Sequence, residues 1–322
     1  MKNIIKILAS LMSIIMVIAL AGCGEGGDSG KKTIGIIQFG SHASLNNCYD
    51  GVMQGLEENG ITEENYNIEY VNSNFDASVS QTQANNFVNK NADVIIAIAT
   101  PSAVAAANAA EENGVPVVFC AVTDATVMEN YTNVTGSSDI PNFEKQLEVV
   151  TAFMNKTDLK IGVLYSTEES SSPVQVENLE KAAEKYDGME IISSAVADIN
   201  TIDAKTNELI ERGAECFVNL LDNTIVGKLE TNILPITNEK KIPVFGSEIE
   251  QVRVGCAASA SIDYITVGAA AGRSAAEILG GGSASDIEIS YITEPENYYN
   301  SKVCADLGLT VPDTVAAEDV AE

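Results

Sequence analysis

Beyond residue 32 the chain alternates between short apolar runs and amphipathic stretches. Residues 34–39, 68–74, 93–99 and 115–122 read as strands, with helical segments at 45–59, 78–90 and 102–113 between them. The runs at 93–99 and 115–122 are nearly continuous in apolar residues, as strands buried on both faces of a parallel sheet are. The cycle then repeats, with strands at 160–165, 189–196, 215–221 and 242–245 and helices at 174–186, 203–212 and 225–238. Regular alternation of this kind predicts parallel sheets covered by helices on both faces. A join falls at 136–142, where Pro141 punctuates the chain. A helix at 264–279, stopped by Gly280-Gly281-Gly282, is assigned to the first lobe. A strand at 287–292 and a short helix at 301–307 follow. The expected fold class is α/β, with two doubly wound parallel-sheet lobes joined by a hinge. Residues 33–139 plus 264–286 form lobe one and 140–263 plus 287–312 form lobe two. The acidic tail, 313–322, is expected to fray.

The N-terminus carries a different pattern. Lys2 and Lys6 precede an uncharged, largely apolar run at 7–20. That run is shorter than the roughly 20 residues of a membrane-spanning helix and fits the apolar region of an export signal. The following Leu20-Ala21-Gly22-Cys23 resembles the bacterial lipoprotein signal. The resemblance implies removal of 1–22, acylation of the Cys23 thiol, and residence on the extracytoplasmic face of the cell membrane through a lipid anchor. Residues 23–32, rich in Gly and Ser, read as a flexible tether.

Charge narrows the list of partners. The 322 residues hold 46 acidic and 18 basic side chains, a net charge of −28. Loss of Lys2 and Lys6 with the signal leaves 16 basic against 46 acidic, or −30. Such a chain repels phosphate backbones, so nucleic acid is excluded as a partner. The length suits two medium domains and buries a core without disulfide staples. With one histidine and no tryptophan, sites needing two imidazoles are excluded. Cysteines stand at 23, 48, 120, 216, 256 and 304. With Cys23 acylated, five remain, an odd number without CxxC spacing, which argues against zinc or redox motifs. No metal and no cofactor is expected. Cys120, Cys216 and Cys256 lie in apolar runs and read as small buried hydrophobes.

Ligands of open α/β sheets sit beyond the carboxyl ends of the strands. Polar residues occupy those places: Ser41 and His42, Thr100 and Ser102, Thr123 and Asp124, Ser171, Asp222-Asn223-Thr224, and Glu248. The same residue types cap helices, so each position has both a ligand reading and a capping reading.

Several segments, taken in order, carry a family resemblance. They are DVIIAIATPS at 93–102 with Ala106-Ala107-Asn108, VPVVFCAVTD at 115–124, and Asn133-Val134-Thr135-Gly136 with Ser138 and Asp139. Glu144-Lys145-Gln146-Leu147, Asp222-Asn223-Thr224, Ile242-Pro243-Val244-Phe245 and Ile262-Asp263-Tyr264 complete the series. The chain resembles the ABC transporter substrate-binding proteins of the tryptophan/tyrosine type, which have the periplasmic-binding-protein type I fold. One departure stands out: members often carry an acidic residue, His and Pro after the first strand, where this chain has Ser41-His42-Ala43.

The resemblance implies a small-molecule ligand, an amino acid with aromatic ones favoured among relatives, and ABC permease and ATPase subunits as partners. An amino acid brings a carboxylate and an ammonium. Thr100-Pro101-Ser102 opens a helix with Pro in the first turn, where its missing N–H costs nothing. The free N–H groups and the Ser102 hydroxyl suit the carboxylate there. Asp222 or Asp124 suits the ammonium, with Asn223 and Thr224 adding hydrogen bonds; Asp222 equally suits a helix cap. Without Trp, an aromatic wall falls to Phe39 or Tyr264. An enzyme is not expected: no G-x-S-x-G elbow accompanies His42, and no Gly-rich phosphate loop follows a strand. The alternative from another class is a lipoprotein sensor that reports ligand to a membrane receptor.

Overall fold

Strand β3 (Val94–Ile98) is buried along its whole length, because its sheet carries a hydrophobic core on each face. Residues 30–321 are described by the structure, a computed structural model. The export signal read at 1–22, Cys23, and the tether up to residue 29 lie outside the described residues. The first sheet joins β3 to β1 (Thr33–Gln38), β2 (Asn67–Asn72), β4 (Val117–Cys120), β5 (Val134–Ser138) and β11 (Ser290–Tyr291) in the order β11-β5-β4-β3-β1-β2. Every pairing in it is parallel. Helices α1 (Ala43–Glu57) and α10 (Tyr264–Leu279) cover one face; α2 (Ala77–Asn89) and α3 (Thr100–Ala110) cover the other.

The second sheet, also parallel, runs β7-β6-β8-β9: β6 (Lys160–Ser166), β7 (Glu190–Val196), β8 (Cys216–Val218) and β9 (Val244–Phe245). Helices α4 (Phe143–Met154), α5 (Ser171–Ala183), α6 (Ile202–Glu211), α7 (Asn223–Lys228), α8 (Leu234–Glu239), α9 (Ile249–Val254) and α11 (Ser301–Leu307) complete the order. A bridge from Gly246 to Ser259 links this sheet to a third one, β10 (Ala258–Ser261), β12 (Glu296–Tyr299) and β13 (Glu318–Asp319). The two-lobed, doubly wound α/β architecture expected from the sequence is present.

Three expectations need correction. Residues 290–291 belong to the first sheet rather than to lobe two, since Ser290 and Tyr291 pair with Ser137 and Ser138. Helix α10 packs on α1 and returns the chain to the open edge of β5, where the Thr135 hydroxyl donates to the Ile287 carbonyl at 2.9 Å. The acidic tail does not fray throughout. Its residues 318–319 form β13 beside Tyr298 and Tyr299, and Asp319 Oδ1 accepts from the Ser301 N–H. The edge of β12 was free to be paired, and the apolar Val315 and Val320 pack against lobe-two core residues. The helix read at 225–238 is broken into α7, a π-helical turn at Leu229–Ile233 and α8. Pro235 in the first turn of α8 lacks the N–H needed to continue an unbroken α-helix.

One contact fixes the lobe-one side of the cleft. Helices α1 and α10 run parallel and touch through their backbones. A Cβ on Gly51 would lie 2.2 Å from the Ile265 carbonyl oxygen and one on Gly55 2.3 Å from that of Ala269. From the other helix, a Cβ on Gly268 would lie 2.1 Å from the Cys48 oxygen and one on Gly272 2.4 Å from that of Val52. Only glycine permits this approach. It sets the N-terminus of α1, with His42 and Ser44, beside the N-terminus of α10, with Tyr264.

Candidate functional site

A small cleft lies where the strand ends of the two lobes meet. Lobe one contributes His42, Ser44, Leu45, Thr100, Thr123 and Asp139, with Tyr264 at the start of α10. Lobe two contributes Ser171, Leu221, Asp222, Asn223, Glu248 and Gln251. Of the residues singled out in the sequence, His42, Thr100, Thr123, Ser171, Asp222, Asn223 and Glu248 come together here. Ser102, Asp124 and Thr224 are not among the lining residues. The Ser102 hydroxyl is fully buried and pairs with Ser80 Oγ at 3.2 Å. Asp124 caps the short 3₁₀ turn Ala125–Met128 through the Thr126 N–H. Thr224 turns its N–H and hydroxyl to Glu169 Oε1 at 2.7 and 3.0 Å.

The backbone at the ends of the lobe-one strands is unusual. Asn74 and Phe75 after β2, Ala99 after β3 and Ala121 after β4 all have positive φ, from 52° to 75°. Side chains disfavour that region, and such residues cluster where function over-determines the backbone. Ala99 is the N-cap of α3 and cannot cap it with a side chain. Helices α1 and α5, with His42 and Ser170 at their N-cap positions, also lack side-chain caps. Three helix N-termini without side-chain caps therefore reach the cleft, a setting that favours a ligand carboxylate, although in α5 the Ser172 N–H already donates to the Glu169 carbonyl at 3.1 Å. By contrast, α7 and α9 are capped by their own acids, Asp222 and Glu248.

The acids of the site divide by what already holds them. Asp222 is fully buried. Its Oδ1 accepts from Ile225 N–H, and its Oδ2 accepts from Ser166 N–H at 2.6 Å and Ser172 Oγ at 2.7 Å. Both oxygens are thus engaged, and the capping reading of Asp222 is the one realised. Glu248 accepts from the Glu250 and Gln251 N–H groups; burial pushes its carboxyl up to about 7. Asp139, only 2 % exposed, accepts at Oδ2 from the Tyr264 hydroxyl at 2.7 Å; the Thr123 hydroxyl also helps to hold its charged form, while its buried Oδ1 makes no hydrogen bond of ordinary geometry. Burial raises the Asp139 carboxyl and pushes the Tyr264 phenol well up.

In the sequence Asp139 appears only within a family motif and is not among the nominated residues, although it follows a strand as Asp222 does. Glu169 was also missed. It is buried behind the cleft, and burial together with the Asp222 carboxyl pushes it up to about 8. Its Oε2 accepts from Asn223 Nδ2 at 2.7 Å. Asn223 Oδ1 in turn lies 3.1 Å from His42 Nε2 across the cleft. A second hydrogen bond between the lobes runs from Asn47 Nδ2 to Glu250 Oε1 at 3.0 Å. No Lys or Arg is among the residues lining the cavity.

Residues 33–321 match the family described as ABC transporter substrate binding protein. The chain belongs to that family. It is 32% identical over 319 residues to a tyrosine-binding protein of Clostridioides difficile strain R20291, covering 93% of this chain and 90% of the relative. An ABC domain from Streptococcus pneumonia, solved in complex with L-Trp, superposes with a TM-score of 0.83 at 30% identity, covering 89% of this chain and 97% of that one. A ligand-free, open substrate-binding protein with adhesive properties from Clostridium difficile gives 0.66, also at 30% identity, over 90% of this chain and all of that one. At equal identity the fit is better to the ligand-bound chain, in keeping with the hydrogen bonds that join the lobes here. The fold is of the periplasmic-binding-protein type I kind, and the family binds solutes rather than transforming them.

Proposed function

We propose that this substrate-binding protein captures an aromatic amino acid outside the cytoplasm, tethered by an acylated Cys23, and delivers it to an ABC permease with its ATPase. The observation that carries the ligand class is the chemistry of the cleft. A buried carboxyl oxygen on Asp139 makes no hydrogen bond of ordinary geometry, no lining cation competes for it, and helix N-termini without side-chain caps approach the same cavity. An ammonium and a carboxylate on one small molecule suit these two features. The apolar Leu45, Ala121, Leu221 and Val226 with the Tyr264 ring suit an apolar body between them. The relatives that bind tyrosine and hold tryptophan support the aromatic assignment.

Titration calorimetry with a panel of L-amino acids tests the reading. Aromatic amino acids are expected to bind with micromolar or tighter affinity. Failure of every amino acid to bind, with a sugar or polyol binding instead, would overturn it.

A further inference from the structure

Three contacts across the cleft start from the first turns of one helix. His42, the N-cap of α1, meets Asn223 at 3.1 Å. The Ser44 hydroxyl helps to hold the charged form of Glu248. Asn47 Nδ2 donates to Glu250 Oε1 at 3.0 Å. His42, Ser44, Asn223 and Glu248 line the ligand cavity, whereas Asn47 and Glu250 are not among its lining residues. Those two lie in a separate surface groove, beside the chain crossings at 262–263 and 292–294. The Asn47–Glu250 bond therefore joins the lobes without touching the solute.

Each half of this bond is fixed within its own lobe. Asn47 lies one turn ahead of Gly51, whose closeness to α10 admits no side chain. Helix α1 cannot tilt away from lobe one without opening that contact. On the facing side, Glu250 lies in α9, where its own N–H and that of Gln251 donate to Glu248 at 2.7 and 2.9 Å. Gln251 Oε1 accepts from Asn219 Nδ2 at 3.1 Å and from the Ser247 N–H at 3.0 Å, which ties α9 to the segments beyond β8 and β9. Arg253, three residues on, pairs with the same Glu250 oxygen that faces Asn47. The Glu250 side chain is only 14 % exposed. It has little rotamer freedom left to lose when the lobes meet, and a contact made by preorganised groups keeps more of its strength.

We propose that Asn47 and Glu250 form a latch outside the ligand cavity, a positioning pair that sets how long the closed clamp retains its solute and leaves the choice of solute to the cavity. The bond is made in the closed state and broken in the open one. An enclosed solute escapes only after the lobes part, so the latch slows release whatever the solute is. Apparent affinity scales with the population of the binding-competent state. Closure does not depend on which solute is enclosed, so the latch stands apart from the amino-acid reading above.

The test measures affinity by calorimetry and dissociation by stopped flow, with L-tyrosine and L-tryptophan as probes of the mature chain and its variants. Asn47→Ala should weaken both probes by the same factor, about three- to tenfold, the worth of one hydrogen bond. The loss should appear as faster dissociation at an unchanged association rate, with the melting temperature of the free protein held. Glu250→Ala should act in the same way. The double variant should bind no more weakly than the weaker single one, because each substitution removes the same bond. A merely structural role would instead lower the melting temperature and leave the dissociation rate alone. Unchanged affinity in Asn47→Ala, losses that differ between the two probes, or additive losses in the double variant would overturn the latch. So would tighter binding in Asn47→Ala, the result expected if the pair holds the lobes apart. If neither amino acid binds the wild type, the amino-acid reading falls by itself, and the same comparison with the sugar or polyol that binds instead decides the latch.

Discussion

Replacing Asp139 with Asn separates ligand recognition from folding. The Tyr264 hydroxyl donates to one oxygen of Asp139 at 2.7 Å, and an Asn carbonyl can take over that bond. The Asn NH₂ then stands where Oδ1 was, a donor facing the ligand ammonium. A hydrogen bond to a charged group is worth about 1.5–3 kcal/mol, so affinity should fall by roughly tenfold to a hundredfold. Apo stability should hold or rise, because the buried carboxyl, raised by desolvation, no longer has to be accommodated. Asp222→Asn should do the opposite. Whichever oxygen becomes NH₂, one backbone N–H loses its acceptor: Ile225 at Oδ1 or Ser166 at Oδ2. A buried donor left unpaired costs about 1–3 kcal/mol, a melting temperature several degrees lower for a chain of this size. Calorimetric titration with tyrosine and tryptophan, paired with differential scanning calorimetry of both apo variants, reads the contrast. Affinity of Asp139→Asn within threefold of wild type would refute the assignment of the ammonium to Asp139.

Gly268→Ala should destabilise the fold by about 1–3 kcal/mol or more through overpacking, since its Cβ meets the Cys48 carbonyl at 2.1 Å. Gly227→Ala, with open space around the new Cβ, should melt at or above wild type; equal melting of the two variants contradicts the close helix contact. Glu169 and Glu248 are raised to about 8 and about 7 from ordinary carboxyl values. Their contribution is fully present below the unfolded values and is lost as pH rises through the folded ones. Apo melting temperature should therefore decline from about pH 4.5 to about pH 8 and level off above it, less steeply in Glu169→Gln, and a rise over that window would be inconsistent with both shifts. Cys23→Ala should abolish incorporation of labelled fatty acid and release the protein from the membrane fraction, whereas persistent labelling would refute the anchor.

Elements with strong periodicity were legible in the sequence. The helix at 264–279 and the short one at 301–307 coincide with α10 and α11, because each opens on a capping residue, Asp263 or Asn300. Strands β5, β10 and β12 were not legible. Val134–Ser138 is VTGSS and Ala258–Ser261 is ASAS, small and polar segments that are strands because their neighbours pair with them rather than because of their own pattern. Helix α4 stood out only through its family motif, although Asn142 caps it through the Lys145 N–H.

At the site, seven of the ten nominated ligand residues line one cavity, because strand ends in this topology converge. Which of them have spare hydrogen-bonding capacity was not legible. Asp222 and Asp139 look alike as residues after strands. Only the partners of each oxygen, supplied by Ser166, Ser172 and Tyr264 from elsewhere in the chain, tell them apart. Glu169 was hidden for the same reason, since it acts through Asn223 and touches nothing near it in sequence.

The backbone contact between α1 and α10 also bears on how such a protein can change its diet. Four glycines leave that half of the cleft no volume to spare, and a side chain added at any of them forces the helices apart. The facing half is carried by the short helices α7 and α9 and by Leu221, which Gln175 holds through both its N–H and its carbonyl. At Gly227 in α7, no atom lies within 4 Å of the place a Cβ would take. Descendants adapting to a larger or smaller solute thus have freedom in lobe two and almost none in lobe one. Variation that retunes the menu should accumulate around Gly227, with the glycine seam left intact.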